Sequence, residues 1–182
     1  MRIEQTSIPG CYQLFPVVRK DSRGVFVKTF HSEIFKAHGL VVEFSEEYYS
    51  VSHQGVLRGL HFQVPPHDHF KLVYCLSGKV LDAIVDLRVG SPTFQKTATF
   101  ELGPELGNIL YIPPGIAHGF LALTNDVIMQ YKVTTVYAPE SDAGIRWDTA
   151  GIPWPGSNFN VSERDRNFPT LKYFESPFQF IA

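Results

Sequence analysis

Several features that would settle a function at once are scarce or absent. Only two cysteines occur in 182 residues, Cys11 and Cys75. They have no metal-type spacing, and two cysteines make no disulfide framework. Basic runs are missing too. Sixteen Lys and Arg against 18 Asp and Glu leave a net charge of −2, which points away from nucleic acid and from anionic membranes. No apolar run reaches membrane-spanning length. The opening "MRIEQTSIPG" has no apolar core of a signal peptide, and a soluble, reducing, cytoplasmic setting is expected. Repeats, low-complexity tracts and linkers are also lacking, so a single domain over 1–182 is predicted.

What is present favours β-structure. A chain of this length can bury roughly 70% of its unfolded surface without a disulfide or a metal. Aromatics reach 14%, with 14 Gly and 13 Pro, a composition of short strands and many turns. "VVRKDSRGVFVKTF" reads as strand, turn, strand, turning at Ser22-Arg23-Gly24. "HSEIFKAHG" is the one good helix candidate, with Ser32 as cap and Gly39 as stop. Short strands follow, separated by "VPPHD", "LSGK", "VGSP", "LGPELG", "IPPG" and "LTND". Such spacing predicts a sandwich or barrel.

Alternation assigns faces. In "KVLDAIVDLR", Leu81, Ala83, Val85 and Leu87 share one side. Val80, Asp82, Ile84, Asp86 and Arg88 share the other, which either lines a cavity or is a solvated side. Val127, Met129, Tyr131, Val133, Thr135 and Tyr137 share a face suited to a barrel interior.

"GNILYIPPGIAHG" carries the next signal. Pro113 and Pro114 preset a turn with Gly115, which returns His118 to the wall. The pattern resembles the second motif of the cupin superfamily, small jelly-roll barrels. Metal-binding cupins add two histidines one residue apart and then a glutamate. His67 and His69 have that spacing, but Lys71 to Tyr74 occupy the glutamate's region. A lysine there repels a divalent ion, so no metal is expected. His67 and His69 follow Pro65-Pro66 and read as solvated loop residues.

A metal-free barrel still has chemistry available. His61, in "RGLHFQ", has an ordinary pKa suited to taking a proton near neutrality. Lys71 can stabilise an oxyanion, and Tyr131 can return a proton from the other side. Each alone is more simply a structural residue. Together, base, cation and acid are what proton exchange beside a carbonyl requires.

The chain closely resembles the RmlC family of nucleotide-sugar 3,5-epimerases. The stretches "DSRGVF", "VLRGLHFQ", "KLVY", "GKVLDAIVDLR", "SPTF", "YIPPGIAHGF", "QYKVTTVY", "GIRWD" and "IPWP" carry the likeness through nearly the whole chain. The resemblance implies an all-β, cupin-type jelly-roll barrel with one or two short helices. It implies that His61 is the base, Asp165 its orienting carboxylate, Tyr131 the opposing acid and Lys71 the partner of the C4 oxygen. His118 would lie in the pocket with Asp82 beside it, and Tyr137 would join the substrate-binding wall. Arg23 and Arg58 match positions that contact substrate, the diphosphate especially. The substrate would be a nucleoside-diphosphate 4-keto-6-deoxy sugar, processed without cofactor or metal. A homodimer with exchanged N-terminal strands is also implied.

Departures cluster on the nucleotide side. Glu46 and Tyr48 stand where dTDP-using members usually carry Gln and Asn. Lys28 replaces a frequent Glu, and "VPPHDHFK" replaces a glutamine-containing loop. A glutamate suits the N–H edge of guanine, so dTDP, GDP and CDP all stay open, as do hexose and heptose. Retention of Tyr131 favours inversion at both C3 and C5 over a single centre. Two other classes compete: a metal-dependent isomerase or dioxygenase using His67, His69 and His118, and a non-catalytic sugar-binding barrel.

Overall fold

The computed structural model describes residues 1–181. The chain begins with β1 (Arg2–Gln5) and β2 (Tyr12–Phe15), then a hairpin of β3 (Val18–Asp21) and β4 (Gly24–Val27). Helix α1 (Ser32–Ala37) precedes β5 (Glu46–Ser52), β6 (Val56–Gln63), β7 (Lys71–Ser77) and β8 (Val80–Asp86). Then come β9 (Thr97–Leu102), β10 (Ile109–Ile112), β11 (Ile116–Ala122) and β12 (Val127–Val133). The C-terminal part adds β13 (Asp142–Gly144), β14 (Asn160–Val161) and α2 (Glu163–Arg166).

Two sheets face each other. The first has the order β1-β2-β10-β7-β12-β5, and the second β13-β6-β11-β8-β9 with β14 beside β6. Their inner faces supply one apolar cluster. Val73, Cys75, Met129 and Tyr131 of the first sheet meet Val80, Ile84, Ile116 and Phe120 of the second. The outer face of the second sheet is covered as well. Leu60, Phe62, Ala83, Val85 and Leu87 pack under Ile145, Ile152, Leu171 and Phe178 from the C-terminal segments. Fully burying side chains of this size stabilises by about 1.5–3 kcal/mol each.

The predicted faces of "KVLDAIVDLR" separate as expected, but neither side is solvated. Asp82 and Asp86 are fully buried. Asp86 holds Arg88 at 2.8 Å and the Ser91 hydroxyl at 2.6 Å, so its charge is paired. The Tyr131 face ends with its strand at Val133, leaving Thr135 and Tyr137 in the following loop rather than on the barrel wall.

Helix α1 forms where predicted, but His31 is its N-cap and Ser32 its first residue; no side chain caps it. Gly39 stops it at φ +68. Helix α2 is within the one or two short helices expected, but its position was not predicted. Its four residues are too few for a periodic signal, although Ser162 caps it by accepting from the Asp165 N–H at 3.0 Å. The hairpin turns at Ser22-Arg23, with Gly24 at φ +126, and it forms a separate two-stranded sheet. None of the helices among the described residues is long and apolar enough to cross a membrane.

Candidate active site

The site depends on a close crossing of β6 and β11. A Cβ at Gly119 would sit 2.6 Å from the Arg58 carbonyl oxygen, and one at Gly59 2.6 Å from the Gly119 Cα. Two glycines therefore let the strands approach. The pairing sets His61 opposite His118, and His118 opposite Ile84 of the inner face.

His61 is oriented by a carboxylate far away in sequence. Its Nε2 lies 2.8 Å from Asp165 Oδ1, while Asp165 Oδ2 accepts the Gly59 N–H at 3.0 Å. A carboxylate only accepts, so Nε2 carries the proton and Nδ1 is the free lone pair; this tautomer follows from the hydrogen-bond network. Burial pushes the imidazole below the ordinary histidine value, Asp165 opposes this, and Lys71 and Arg164 lower it further. Burial alone would raise Asp165, but the hydrogen bonds from His61, Gly59 and Ser162 outweigh it and hold the carboxyl below its usual range.

Lys71 opens β7 on the facing sheet and donates to the His61 carbonyl at 3.1 Å. Burial brings its ammonium down to about 8, against the pull of Asp142 and Asp82. Tyr131 is buried on β12. Burial, with Tyr48 and Asp82 adding to it, holds the phenol well above the ordinary tyrosine value, so it keeps its proton. His118 bridges between the sheets. Its Nε2 is 2.8 Å from Asp82 Oδ2, and its ring is 6.0 Å from that of Tyr131.

A cavity of about 270 Å³ opens beside these groups, lined by Glu46, Tyr48, His61, His69, Lys71 and Arg164 among others. Tyr137 lines it too and donates its hydroxyl to Asp142 at 3.1 Å. Larger clefts exist, one of about 460 Å³ lined by Val25, Val27 and Cys75. None of these larger clefts includes His61 or Lys71, so the smaller cavity beside the oriented imidazole is the chemical site.

The remaining expectations divide. Glu46 is in the wall, but its Oε2 accepts the Tyr137 N–H at 2.7 Å. Tyr48 stacks on Tyr131 with centroids 4.8 Å apart and planes 14° apart. Tyr131 is outside the cavity lining and stands one ring back, covered by Tyr48. Arg58 donates to Ser52 Oγ at 3.1 Å and to the Val51 carbonyl at 3.2 Å. Arg23 and Lys28 do not join His61 within this chain. Arg23 is in the exposed hairpin turn, paired with Asp21 at 2.6 Å, and Lys28 lines a separate cleft with Phe26 and His31.

His69 corrects the reading as a solvated loop histidine, because its side chain lines the cavity. His67 is bonded to Ser141 Oγ at 2.9 Å and His118 to Asp82. Among the described residues no three His, Cys, Asp or Glu side chains converge as metal ligands. Asp142 and Arg164, joined at 2.9 Å, were missed. Arg164 adjoins Asp165 in "SERDRNFP", the one local hint; Asp142 carries none.

An oriented imidazole on one sheet of an all-β sandwich, facing a buried ammonium and a protonated phenol on the other, can move a proton beside a carbonyl. The fold and the site thus define an isomerase of the proton-transfer type. The family model for dTDP-4-dehydrorhamnose 3,5-epimerase matches residues 5–173, and the chain belongs to that family, with its cupin-type fold. The dTDP-4-dehydrorhamnose 3,5-epimerase of Methanothermobacter thermautotrophicus is 42% identical over 176 residues, 94% of this chain and 95% of the relative. Among solved structures, RmlC of Legionella pneumophila in complex with dTDP-4-keto-L-rhamnose gives a TM-score of 0.93 at 34% identity, covering 100% and 99% of the two chains. A 3′-monoepimerase of Streptomyces bikiniensis in complex with dTDP-quinovose gives 0.87 at 33%, covering 93% and 87%.

Proposed function

We propose that this chain inverts C3 and C5 of a dTDP-linked 4-keto-6-deoxy hexose, acting as one domain in the cytoplasm. The ketone acidifies the neighbouring C–H bonds. His61 Nδ1 takes the proton, Lys71 stabilises the enolate oxygen, and Tyr131 returns a proton to the opposite face. No hydride acceptor enters the scheme, because the ketone is already present in the substrate. The observation that carries this reading is the His61–Asp165 pair facing Lys71 across one cavity. Glu46 supports dTDP over GDP, since one of its oxygens is committed to the Tyr137 N–H instead of a guanine edge.

The active unit is a homodimer. Val25 and Phe26 of the hairpin and Tyr49 and Val51 of the edge strand β5 are large exposed apolar side chains, which a second copy would cover. Exchange of N-terminal strands would bring Arg23 and Lys28 to the partner's site, where Arg23 can meet a diphosphate.

A second reading, inversion of a single centre, is favoured by one observation: Tyr48 covers Tyr131. One experiment tests both. The dTDP-linked 4-keto-6-deoxy sugar is incubated in deuterated water and its labelled positions are read by NMR. Deuterium at C3 and C5, abolished by His61→Asn, is expected. Label at one carbon selects the second reading, and no label above background overturns both.

A further inference from the structure

The base is gripped from a second side that the reaction scheme leaves out. Helix α2 carries Asp165, which takes the His61 imidazole at Nε2. Phe168 follows three residues later and is half-buried. It meets the same imidazole edge-to-face, with ring centroids 5.7 Å apart and planes 72° apart, a favoured aromatic geometry.

Three further contacts fix Phe168 there. In the β6–β13 ladder Gly144 stands opposite His61, where a side chain at 144 would be the cross-strand neighbour of the imidazole. A Cβ at that position would sit 2.5 Å from Phe168 Cε2 and 2.7 Å from the Leu60 carbonyl oxygen, so the glycine leaves the place to the phenyl ring. The Arg164 guanidinium lies 5.2 Å from the centroid of that ring, within cation–π range, and is itself held by Asp142 at 2.9 Å. The Pro169 carbonyl accepts the Arg146 N–H at 2.9 Å, which ties the segment to the chain just beyond β13.

Resting on the epimerase reading, in which His61 is the base, we propose that Phe168 is a positioning residue: with Asp165 it leaves the imidazole one orientation, and it keeps water from the ring's flank. Proton transfer depends on that hold, because a misplacement of about 1 Å costs about 10²-fold. The charged and titratable groups around the imidazole are Asp165 and Arg164 from α2, Lys71 from β7 and His118 opposite on β11. Glu46, His69 and Asp142 line the same cavity. Replacing Phe168 alters none of these charges. Burial is what pushes the imidazole below the ordinary histidine value, so opening its flank to water should raise it.

Deuterium uptake from deuterated water into the dTDP-linked 4-keto-6-deoxy sugar is measured across pH for the wild type, Phe168→Ala and Phe168→Tyr. Phe168→Ala should lose about 10–10²-fold in kcat with little change in KM. The acid limb of its kcat/KM should move to higher pH, opposite to the shift that loss of the Asp165 charge produces. Phe168→Tyr keeps the ring and should keep the wild-type rate and limb. Imidazole NMR of the substrate-free proteins reads the His61 titration directly, and it should rise in Phe168→Ala alone. Should Phe168→Ala not fold, Phe168→Leu, which keeps apolar bulk without a ring, is read the same way. An unchanged kcat in the ringless variant overturns the proposal. So does a fall in kcat with the acid limb and the His61 titration in place, or a Phe168→Tyr protein that behaves like the ringless one. Absence of wild-type uptake overturns the epimerase reading, and an unmoved His61 titration then overturns the shielding by Phe168 as well.

Discussion

Replacing Lys71 with methionine should make the protein more stable and much less active. The side chain is only 7% exposed, and burial brings its ammonium from 10.5 to about 8. At roughly 1.4 kcal/mol per pH unit, that difference corresponds to about 3 kcal/mol. The pKa is depressed in the folded state. Between about pH 8 and 10.5 the unfolded chain therefore holds a proton that the folded chain has released, and wild-type stability rises with pH across that window. Below about 8 both forms are protonated and the whole desolvation cost is present. Methionine carries no charge, so the variant should gain up to about 3 kcal/mol at pH 7. That figure is already net of the attraction of Asp142 and Asp82. For a chain of this size each kcal/mol moves Tm by about 2–4 °C. The advantage should shrink steadily towards pH 10.5. Activity goes the other way. Loss of an oxyanion partner costs about 10²–10³ in kcat, and the wild-type fall in kcat/KM above about pH 8 should vanish. Thermal melts and deuterium-uptake rates across pH measure both. A variant that melts lower at pH 7, or keeps the basic limb, would refute the reasoning.

Tyr131→Phe should cut the yield of inverted sugar by about 10²-fold or more, while His61 still exchanges deuterium into substrate of unchanged configuration; NMR separates the two. Asp165→Asn should slow turnover by about 10²–10⁴. Because Asp165 raises the His61 pKa, its loss should move the acid limb of kcat/KM to lower pH, which a pH profile reads directly. Gly119→Ala drives a methyl to 2.6 Å from the Arg58 carbonyl and should destabilise by about 1–3 kcal/mol. Gly55→Ala, at φ +80 with open space around it, costs only its backbone strain, about 1–2 kcal/mol, and serves as the control in thermal melts.

Turns and alternation were legible because they are local. Gly24, Gly39 and Gly78 all have positive φ, as their turn and helix-stop assignments require, and the two faces of β8 follow from a period of two. What covers each face is not local. Asp82 looked ambiguous because its partner, His118, lies 36 positions away. The face it shares with Val80 and Ile84 is closed by the other sheet. The hairpin at Arg23 was readable as a hairpin, but no local pattern states where a hairpin points.

His69 shows the limit most clearly. "PPHDH" has the composition of a solvated loop, and the spacing of its histidines is that of a metal motif. Both readings take the imidazole by itself. In the fold, Thr135 Oγ1 reaches its Nδ1 from 66 residues away, Gln63 Nε2 stands 3.3 Å from the same nitrogen, and burial, with Lys71 adding to it, lowers the imidazole. The sequence reading set His61 apart as the base and His118 in the pocket, and left His69 on a loop. Their partners give the physical reason, because Asp165 leaves His61 a base, Asp82 occupies His118, and Thr135 and Gln63 hold His69 against the cavity wall.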